Sequence, residues 1–160
     1  MTQRVTDYLH WIGTWTGEGA TQAGQKTLIR NTFSLAMDGT GLEMHFEAFD
    51  TAMSVMFHGV RSMLAPAPSG VLRALAYSTI HGPLLLSLMP DDEGVMALSG
   101  DSRAGNRISV TFVEEAADSL LFTAFWRRPD EPLVGDGAAR MTCKLHRCHP
   151  WKTRAEAGSD

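Results

Sequence analysis

Hydrophobic and polar residues alternate with a period of two along most of the chain. The clearest case is the stretch 41–50, in which Leu42, Met44 and Phe46 alternate with charged or histidine neighbours. Period two is typical of strands that bury one face, because successive side chains point to opposite sides of a sheet. The pattern therefore predicts a chain built mainly from half-buried β-strands.

Turn-forming residues separate the alternating stretches from one another. Clusters of glycine, proline, aspartate and asparagine, such as Asp38-Gly39-Thr40-Gly41, recur between them and favour tight turns. One short helix is expected near residues 3–11, ahead of the first strand. The predicted strands cover residues 13–21, 26–37, 41–50, 55–64, 71–79, 83–89, 95–100, 106–115, 119–128 and 138–148.

A run of consecutive antiparallel strands leaves two unpaired edges unless the sheet closes on itself. Closure into an up-and-down barrel removes both edges. The predicted fold is therefore an all-β, about ten-stranded antiparallel β-barrel with a short N-terminal helix. About eight strands already enclose enough space for one small ligand. A barrel of this size is expected to contain a cavity, unless bulky side chains fill it.

The chain has 160 residues and no internal repeat or linker-like segment, so residues 1–150 are predicted to form a single barrel domain. Residues 151–160 are polar and are expected to form a flexible C-terminal tail. In strands 55–64 and 71–79 both faces are fairly apolar, which leaves open the face that points inward. A slip of one residue would exchange the two faces.

Composition narrows the range of functions and locations. The net charge is -4 and the charges are interspersed, which leaves no basic stripe for binding nucleic acid. The N-terminal residues lack the apolar segment of a signal peptide, and the longest apolar run, 83–89, is too short to span a bilayer. Cys143 and Cys148 are expected on opposite faces of one strand, without a mutual disulfide. These features favour a reduced, cytoplasmic protein with no nucleic-acid partner and no membrane span.

The first strand begins with GTWTGEG at residues 13–19, in which three glycines surround Trp15. Gly13, Gly17 and Gly19 permit sharp bends and close backbone approach, as the first strand needs where it closes one end of a barrel. Trp15 is then expected to fill the floor of the barrel. The alternative is a buried tryptophan in an ordinary two-layer sandwich.

This G-x-W motif, preceded by a short helix, resembles that of the calycin superfamily, which includes lipocalins and fatty-acid-binding proteins. The longer form, G-T-W-x-G-x-G, is similar to nitrobindin-like barrels and to an uncharacterised group of bacterial lipocalin-like proteins. In calycins, an arginine of the last strand commonly stacks on the first-strand tryptophan. The resemblance implies that Arg147 stacks on Trp15, with Arg127 as the second candidate.

Nitrobindin-like proteins hold haem through a histidine on the final strand, and this chain departs from them there. Arg140 stands at the position that the resemblance assigns to the haem ligand, and the histidine of this strand is His146. Thr21-Gln22 also replaces the Tyr-Pro pair that usually follows the nitrobindin glycines. No cofactor is therefore predicted, and haem binding is kept as an alternative that rests on resemblance alone.

Four polar residues on otherwise apolar strands are the candidates for polar contacts with a ligand. A few polar groups on the wall of an apolar cavity orient a bound molecule, and an arginine can hold a carboxylate through two hydrogen bonds. These residues are also interpretable as satisfied core or rim groups, with the arginine facing water. The polar candidates are His58, Arg61, Tyr77 and His81, and the expected apolar lining is Phe33, Met44, Phe46 and Trp126.

Two further groups of versatile side chains are more simply explained as surface residues. Either group has side chains that can bind a metal ion, and the first also has an acid/base pair. The first group, however, lies opposite the hydrophobic face of its strand, and the second lies near the end of the chain, so no metal site is predicted. The groups are Glu43, His45 and Glu47, and His146, Cys148 and His149.

The sequence lacks the common signatures of nucleotide-binding and hydrolytic enzymes. GEGATQ has Gln22 in place of the third glycine of a dinucleotide-binding loop, and there is no P-loop, G-x-S-x-G, H-E-x-x-H or C-x-x-C motif. The favoured function is binding of an apolar or amphipathic small molecule inside the barrel. One alternative is a cavity enzyme of the isomerase, cyclase or hydrolase type, with His58 or His81 as base and Tyr77 as acid. Another is a filled barrel that acts through its outer surface, for example as a homodimer.

Overall fold

The alternating stretches form ten β-strands in a computed structural model of the chain, which describes residues 3–21, 23–89, 93–130 and 140–149. Each strand pairs antiparallel with the next along the chain, and the last pairs with the first. The closed antiparallel barrel expected from the sequence is therefore confirmed, whereas the predicted tail at 151–160 lies outside the described residues. The strands are β1 (Gly13–Thr21), β2 (Lys26–Ala36), β3 (Gly41–Phe49), β4 (Met56–Pro66), β5 (Leu72–Ser78), β6 (Gly82–Leu88), β7 (Val95–Asp101), β8 (Arg107–Ala116), β9 (Ser119–Arg127) and β10 (Met141–Arg147).

The helix expected near residues 3–11 is present as a 3₁₀-helix, Val5–Trp11, which packs against the barrel core. Val5, Tyr8 and Trp11 are buried. They recur every third residue and therefore lie on one face, because a 3₁₀-helix has about three residues per turn. Trp11 also donates a hydrogen bond from Nε1 to a carboxylate oxygen of Glu114 at 3.1 Å. Within the described ranges, no helix has the length and hydropathy needed to cross a membrane.

Pairing with β3 decides which face of β4 and β5 points inward. Phe46 on the inner face of β3 pairs with Val60, so Val60 and its alternate neighbour His58 also face the interior. On β5, Ala76 lines the interior, whereas Tyr77 is 62% exposed on the outer face. The barrel thus encloses Ala74 and Ala76 of β5 and leaves Leu75 and Tyr77 outside.

An aromatic cluster forms the floor of the barrel. Trp15 is fully buried and donates a hydrogen bond from Nε1 to the carbonyl oxygen of Trp11 at 2.8 Å. The ring of Trp11 lies 5.7 Å from Phe33 and 6.3 Å from Phe112, measured between centroids. Tilted rings at such distances attract one another beyond their loss of exposed area. Trp15 therefore belongs to the floor, as expected from the sequence.

Gly17 and Gly19 allow β1 to approach β10 closely. A Cβ atom at Gly17 would collide with the carbonyl oxygen of Lys144 and would lie 2.9 Å from Sγ of Cys143. A Cβ atom at Gly19 would lie 3.1 Å from Cys143 Cβ and 3.1 Å from Ile29. The glycines beside Trp15 therefore serve barrel closure, since only a residue without a side chain fits at the tightest point.

Arg147 stacks on Trp15, as the calycin resemblance implies, and thereby ties the last strand to the first. Its guanidinium carbon lies 4.3 Å from the centroid of the Trp15 ring. The same guanidinium donates hydrogen bonds to the carbonyl oxygens of His10 and Ile12 at 2.5 and 2.8 Å, and to Asp118 at 2.8 Å. One planar side chain thus joins the helix, β1 and the loop before β9.

Replacement of Arg147 by lysine is expected to destabilise the barrel by about 2 kcal/mol, because an ammonium group cannot stack and donate to three partners in one plane. Urea unfolding of the Arg147→Lys variant measures this free energy. Arg107→Lys is the matched control, since Arg107 forms an exposed ion pair with Asp101 at 2.9 Å and should contribute less than about 1 kcal/mol. Equal losses in the two variants would contradict the assigned role of Arg147.

Candidate functional site: the barrel cavity

The barrel contains a cavity of about 580 Å³ above the aromatic floor. Its volume lies within the range of small-molecule sites in proteins. The wall is mostly apolar, and the lining reaches partly exposed residues of the loops at the end opposite the start of β1, where the cavity opens. The lining residues are Thr21, Ala23, Asn31, Met44, Phe46, Phe57, His58, Val60, Ser62, Ala76, Ile80, Leu86, Leu98, Val110, Phe112, Phe122, Ala124, Trp126, Arg140 and Met141.

Three phenylalanine rings continue the floor cluster into the cavity wall. Phe112 lies 5.2 Å from Phe122, and Phe122 lies 5.0 Å from Phe46, between ring centroids. Phe33, which the sequence placed on the cavity wall, instead lies in the floor, where its ring is 5.4 Å from Phe112. Phe112, which contacts Phe33, lines the cavity in its place.

His58 lines the cavity and is held by Ser78, which is buried on β5. The backbone N–H groups of Ile80 and His81 donate to Ser78 Oγ at 3.2 and 3.1 Å. A hydroxyl oxygen has two lone pairs, so these two bonds leave only its proton for His58 Nε2, 3.0 Å away. His58 therefore accepts at Nε2 and carries its own proton on Nδ1, in the neutral form.

The surroundings of His58 disfavour its charged form. Burial, with a smaller effect from the charge of His81, lowers the pKa of His58 from 6.5 to about 4. Burial likewise lowers the pKa of His81. Both imidazoles are consequently neutral at physiological pH, which suits a wall that is otherwise apolar.

His81, Trp126 and Arg140 form a group of contacting side chains beside His58. The His81 ring lies 6.1 Å from that of His58 and 5.3 Å from that of Trp126, between centroids. The guanidinium carbon of Arg140 lies 4.5 Å from the centroid of the Trp126 ring. Trp126 and Arg140 both line the cavity, so a cation and an indole stand at its open end.

Arg61 and Tyr77 lie on the outside of the barrel, contrary to their expected place in the ligand site. Arg61 has a side chain 71% exposed and forms an ion pair with Glu43 at 2.5 Å. Tyr77 pairs with Arg61 across β4 and β5 and shares its outward face. The inward position of His58 requires this, because residues an odd number of positions apart on a strand face opposite sides. Of the four polar candidates, His58 lines the cavity, whereas His81 packs edge-on beside it without lining the cavity.

Asn31 and Ser62 are polar lining residues that the sequence reasoning missed. Asn31 lies on β2 between Ile29 and Phe33 on the inner face, and Ser62 lies between Val60 and Leu64 on β4. A single amide on an otherwise hydrophobic strand face was the available signal. Arg140 was considered only as a replacement for a haem ligand, although it also lines the cavity.

The two groups set aside as surface residues lie outside the cavity. Glu47 accepts a hydrogen bond from Arg30 at 2.7 Å, which lowers the pKa of its carboxyl group, and Glu43 is engaged by Arg61. His45 and His146 are exposed. Within the described ranges, no three histidine, cysteine, aspartate or glutamate residues are grouped as metal ligands.

Haem ligation through a histidine of the last strand, as in nitrobindin-like proteins, does not fit the described part of β10. Arg140, whose guanidinium does not ligate iron, precedes the strand at the position implied for the ligand, and it stacks on Trp126. His146, the histidine of β10, is exposed on the outer face. The position implied for the haem ligand thus supplies a cation to the cavity opening, and the histidine of β10 does not line the cavity.

The fold is shared with solved structures of low sequence identity. Rv2717c from M. tuberculosis matches with a TM-score of 0.64 and 14% identity over 93% of this chain and 100% of that chain. The S-type phycobiliprotein lyase CPES from Guillardia theta matches with a TM-score of 0.58 and 10% identity over 93% and 95% of the two chains. Both are calycin-like ten-stranded barrels, so the expected fold is confirmed. No protein-family model and no curated protein matches the sequence.

The low pKa of His58 predicts a loss of stability in acid. The unfolded chain protonates this histidine below about pH 6.5, whereas the folded chain resists protonation until about pH 4, so the unfolding free energy falls as the pH passes downward through that interval. Between about pH 7.5 and about pH 5, this one group should account for about 2 kcal/mol. Urea unfolding at both pH values measures the loss.

The His58→Gln variant should show a clearly smaller loss over the same interval, although His81 still contributes some. His45→Gln is the control, because His45 is exposed on the outer face of β3. The assignment of a neutral, buried His58 is wrong if His58→Gln and His45→Gln have the same pH dependence as the wild type.

Proposed function

We propose that this protein binds an apolar or amphipathic small molecule inside the barrel. The observation that supports this most strongly is the cavity of about 580 Å³, which has a mainly apolar wall and an opening at one end. Closing ten strands produces an interior that the inward side chains do not fill. Transfer of apolar surface from water into such a space is favourable by about 25 cal/mol per Å².

The polar groups of the opening suit an amphipathic ligand. Arg140 places its positive charge beside the Trp126 ring at the opening, and neutral His58 carries its proton on Nδ1. Arginine binds carboxylate and phosphate groups through paired hydrogen bonds. We therefore infer that an acidic or strongly polar end of the ligand lies at the opening, with the apolar part between Met44, Phe46 and Phe122.

We also place the protein in a reducing compartment, the cytoplasm. Cys143 is buried and Cys148 exposed, and both are free thiols. Burial raises the pKa of the Cys143 thiol to about 12, which makes it unreactive. An exposed free cysteine such as Cys148 is more readily kept reduced inside cells than outside them.

A ligand panel tests the proposal. Fatty acids, retinoid-like molecules, aromatic compounds and haem are added in turn, and the thermal midpoint and tryptophan fluorescence are recorded. A molecule present at about 100 times its dissociation constant should raise the midpoint by about 5–10 °C. It should also change the emission of Trp126, which lines the cavity. The absence of any shift across the panel would count against the proposal.

Filling the cavity provides the matched variant. Ala76→Phe places a ring in the interior and should weaken binding of any panel ligand by at least about tenfold. Ala97→Phe makes the same change on the outward face of β7 and should leave binding unaltered. Equal binding by both variants would mean that the ligand does not occupy the cavity.

A cavity enzyme is the second candidate, and it rests on His58. This imidazole is neutral and lines the cavity, and in the assigned tautomer its Nδ1–H can donate a hydrogen bond to a bound substrate while Nε2 accepts from Ser78. Tyr77 cannot be the acid because it lies on the outer face. One protein of similar fold is a lyase. Loss of turnover in His58→Gln with retained ligand binding would favour this candidate.

Haem and a homodimer remain predictions with less support. Haem would need an iron ligand other than Arg140 or His146, and a shift of its Soret band on mixing is the direct test. The cavity itself argues against a filled barrel that acts only through its outer surface. Sedimentation equilibrium measures whether two chains associate.

A further inference from the structure

The deep part of the cavity contains an amide group with unused hydrogen-bonding capacity. Asn31 is 0% exposed, and within the described ranges neither its Oδ1 nor its Nδ2 has a hydrogen-bond partner. Its side chain lies on the inner face of β2, one position above Phe33 of the floor, and it lines the cavity. Buried amides in proteins are almost always hydrogen-bonded, so this one calls for a specific explanation.

The neighbouring wall strengthens the case for a polar contact at this depth. Ser62 lines the cavity from β4 and is 8% exposed, so a second polar side chain lies on the inner wall. Asn31 pairs with Phe46 and Ser62 pairs with Met44, so the two polar side chains flank the same two hydrophobic residues of β3. Two polar side chains therefore line the cavity on either side of one apolar surface.

We propose that Asn31 is a specificity-determining residue, which recognises a carboxamide, lactam or similar group that donates and accepts hydrogen bonds at the buried end of the ligand. This inference rests on the proposed function. The amide nitrogen of Asn31 donates to the ligand's carbonyl oxygen, and its Oδ1 accepts from the ligand's N–H. The ligand thus enters with this end first and leaves its acidic or polar end at Arg140.

The chemistry of recognition follows from the unpaired state of Asn31. A ligand that brings only hydrocarbon to this depth leaves both amide atoms buried without partners, whereas a ligand with an amide edge satisfies both. Sites built to hydrogen-bond a polar group discriminate strongly against analogues that lack it. Asn31 therefore selects among ligands that the rest of the apolar wall would accept equally.

Three probes of matched length and a pair of variants test the inference. Decanamide, methyl nonyl ketone and undecane share one chain length, but only decanamide both donates and accepts. Their dissociation constants are measured by competition with a fluorescent ligand of the cavity, in the wild type and in Asn31→Leu. The ratio of amide affinity to ketone affinity should fall by at least about tenfold in Asn31→Leu.

Thr27→Val is the matched control. Thr27 is also 0% exposed on the inner face of β2, and its Oγ1 has no partner in the part of the chain that the structure describes, but it does not line the cavity. Both substitutions remove an unpaired buried polar group and should raise the thermal midpoint of the free protein, yet only the change at Asn31 should alter the affinity ratio. Asn31→Val replaces Asn31→Leu if the larger side chain prevents folding.

The possible results distinguish failure of the Asn31 inference from failure of the proposed binding function. An unchanged affinity ratio in both Asn31 variants, with all three probes bound, overturns the inference and leaves the proposed function standing. A ratio that falls equally in Thr27→Val also overturns it, because the effect then does not come from contact. Failure of every probe to displace the fluorescent ligand from the wild type overturns the inference alone, whereas failure of the fluorescent ligand itself to bind overturns the proposed function and the inference with it.

Discussion

Closure of the sheet between β1 and β10 is the constraint on which the rest of the structure depends. Closure pairs the backbone of both edge strands, and it requires β1 to pass within contact distance of the β10 backbone at Gly17. Trp15 of β1 is buried in the floor, and Arg147 of β10 stacks on its ring, so the two side chains hold the same pair of strands together. Because the pairing has to be continuous around the ring, it also fixes which face of each remaining strand points into the barrel.

A closed ring of this size determines the chemistry available inside it. Water is replaced by hydrocarbon over most of the wall, so a polar group on the inner face has to be neutral, paired or matched by a guest. His58 meets this condition by staying neutral and accepting from Ser78. Arg140 meets it by remaining at the opening over an aromatic ring. Asn31 is neutral but has no hydrogen-bond partner within the described ranges, which makes it the point where ligand identity has most effect.

Much of the fold could be predicted from local patterns, whereas the site could be predicted only in part. The alternation around Met44 and Phe46 identified the inner face of β3, because one side of that strand is charged and the other hydrophobic. The same reasoning failed at β4 and β5, where apolar residues occupy both faces and the alternation does not indicate which face points inward. Arg61 and Tyr77 were consequently placed inside, although a strand that turns His58 inward must turn Arg61 outward.

By itself, the sequence determined the number and extent of the strands, the need to close the sheet and the role of the glycine-flanked Trp15, because these depend on residues adjacent along the chain. The tertiary structure alone decided which polar groups share the interior. Asn31, His58 and Arg140 come from β2, β4 and the segment before β10, and no local pattern links them. Their proximity to one cavity arises from strand register around a closed ring, which is a property of long-range pairing rather than of any single segment.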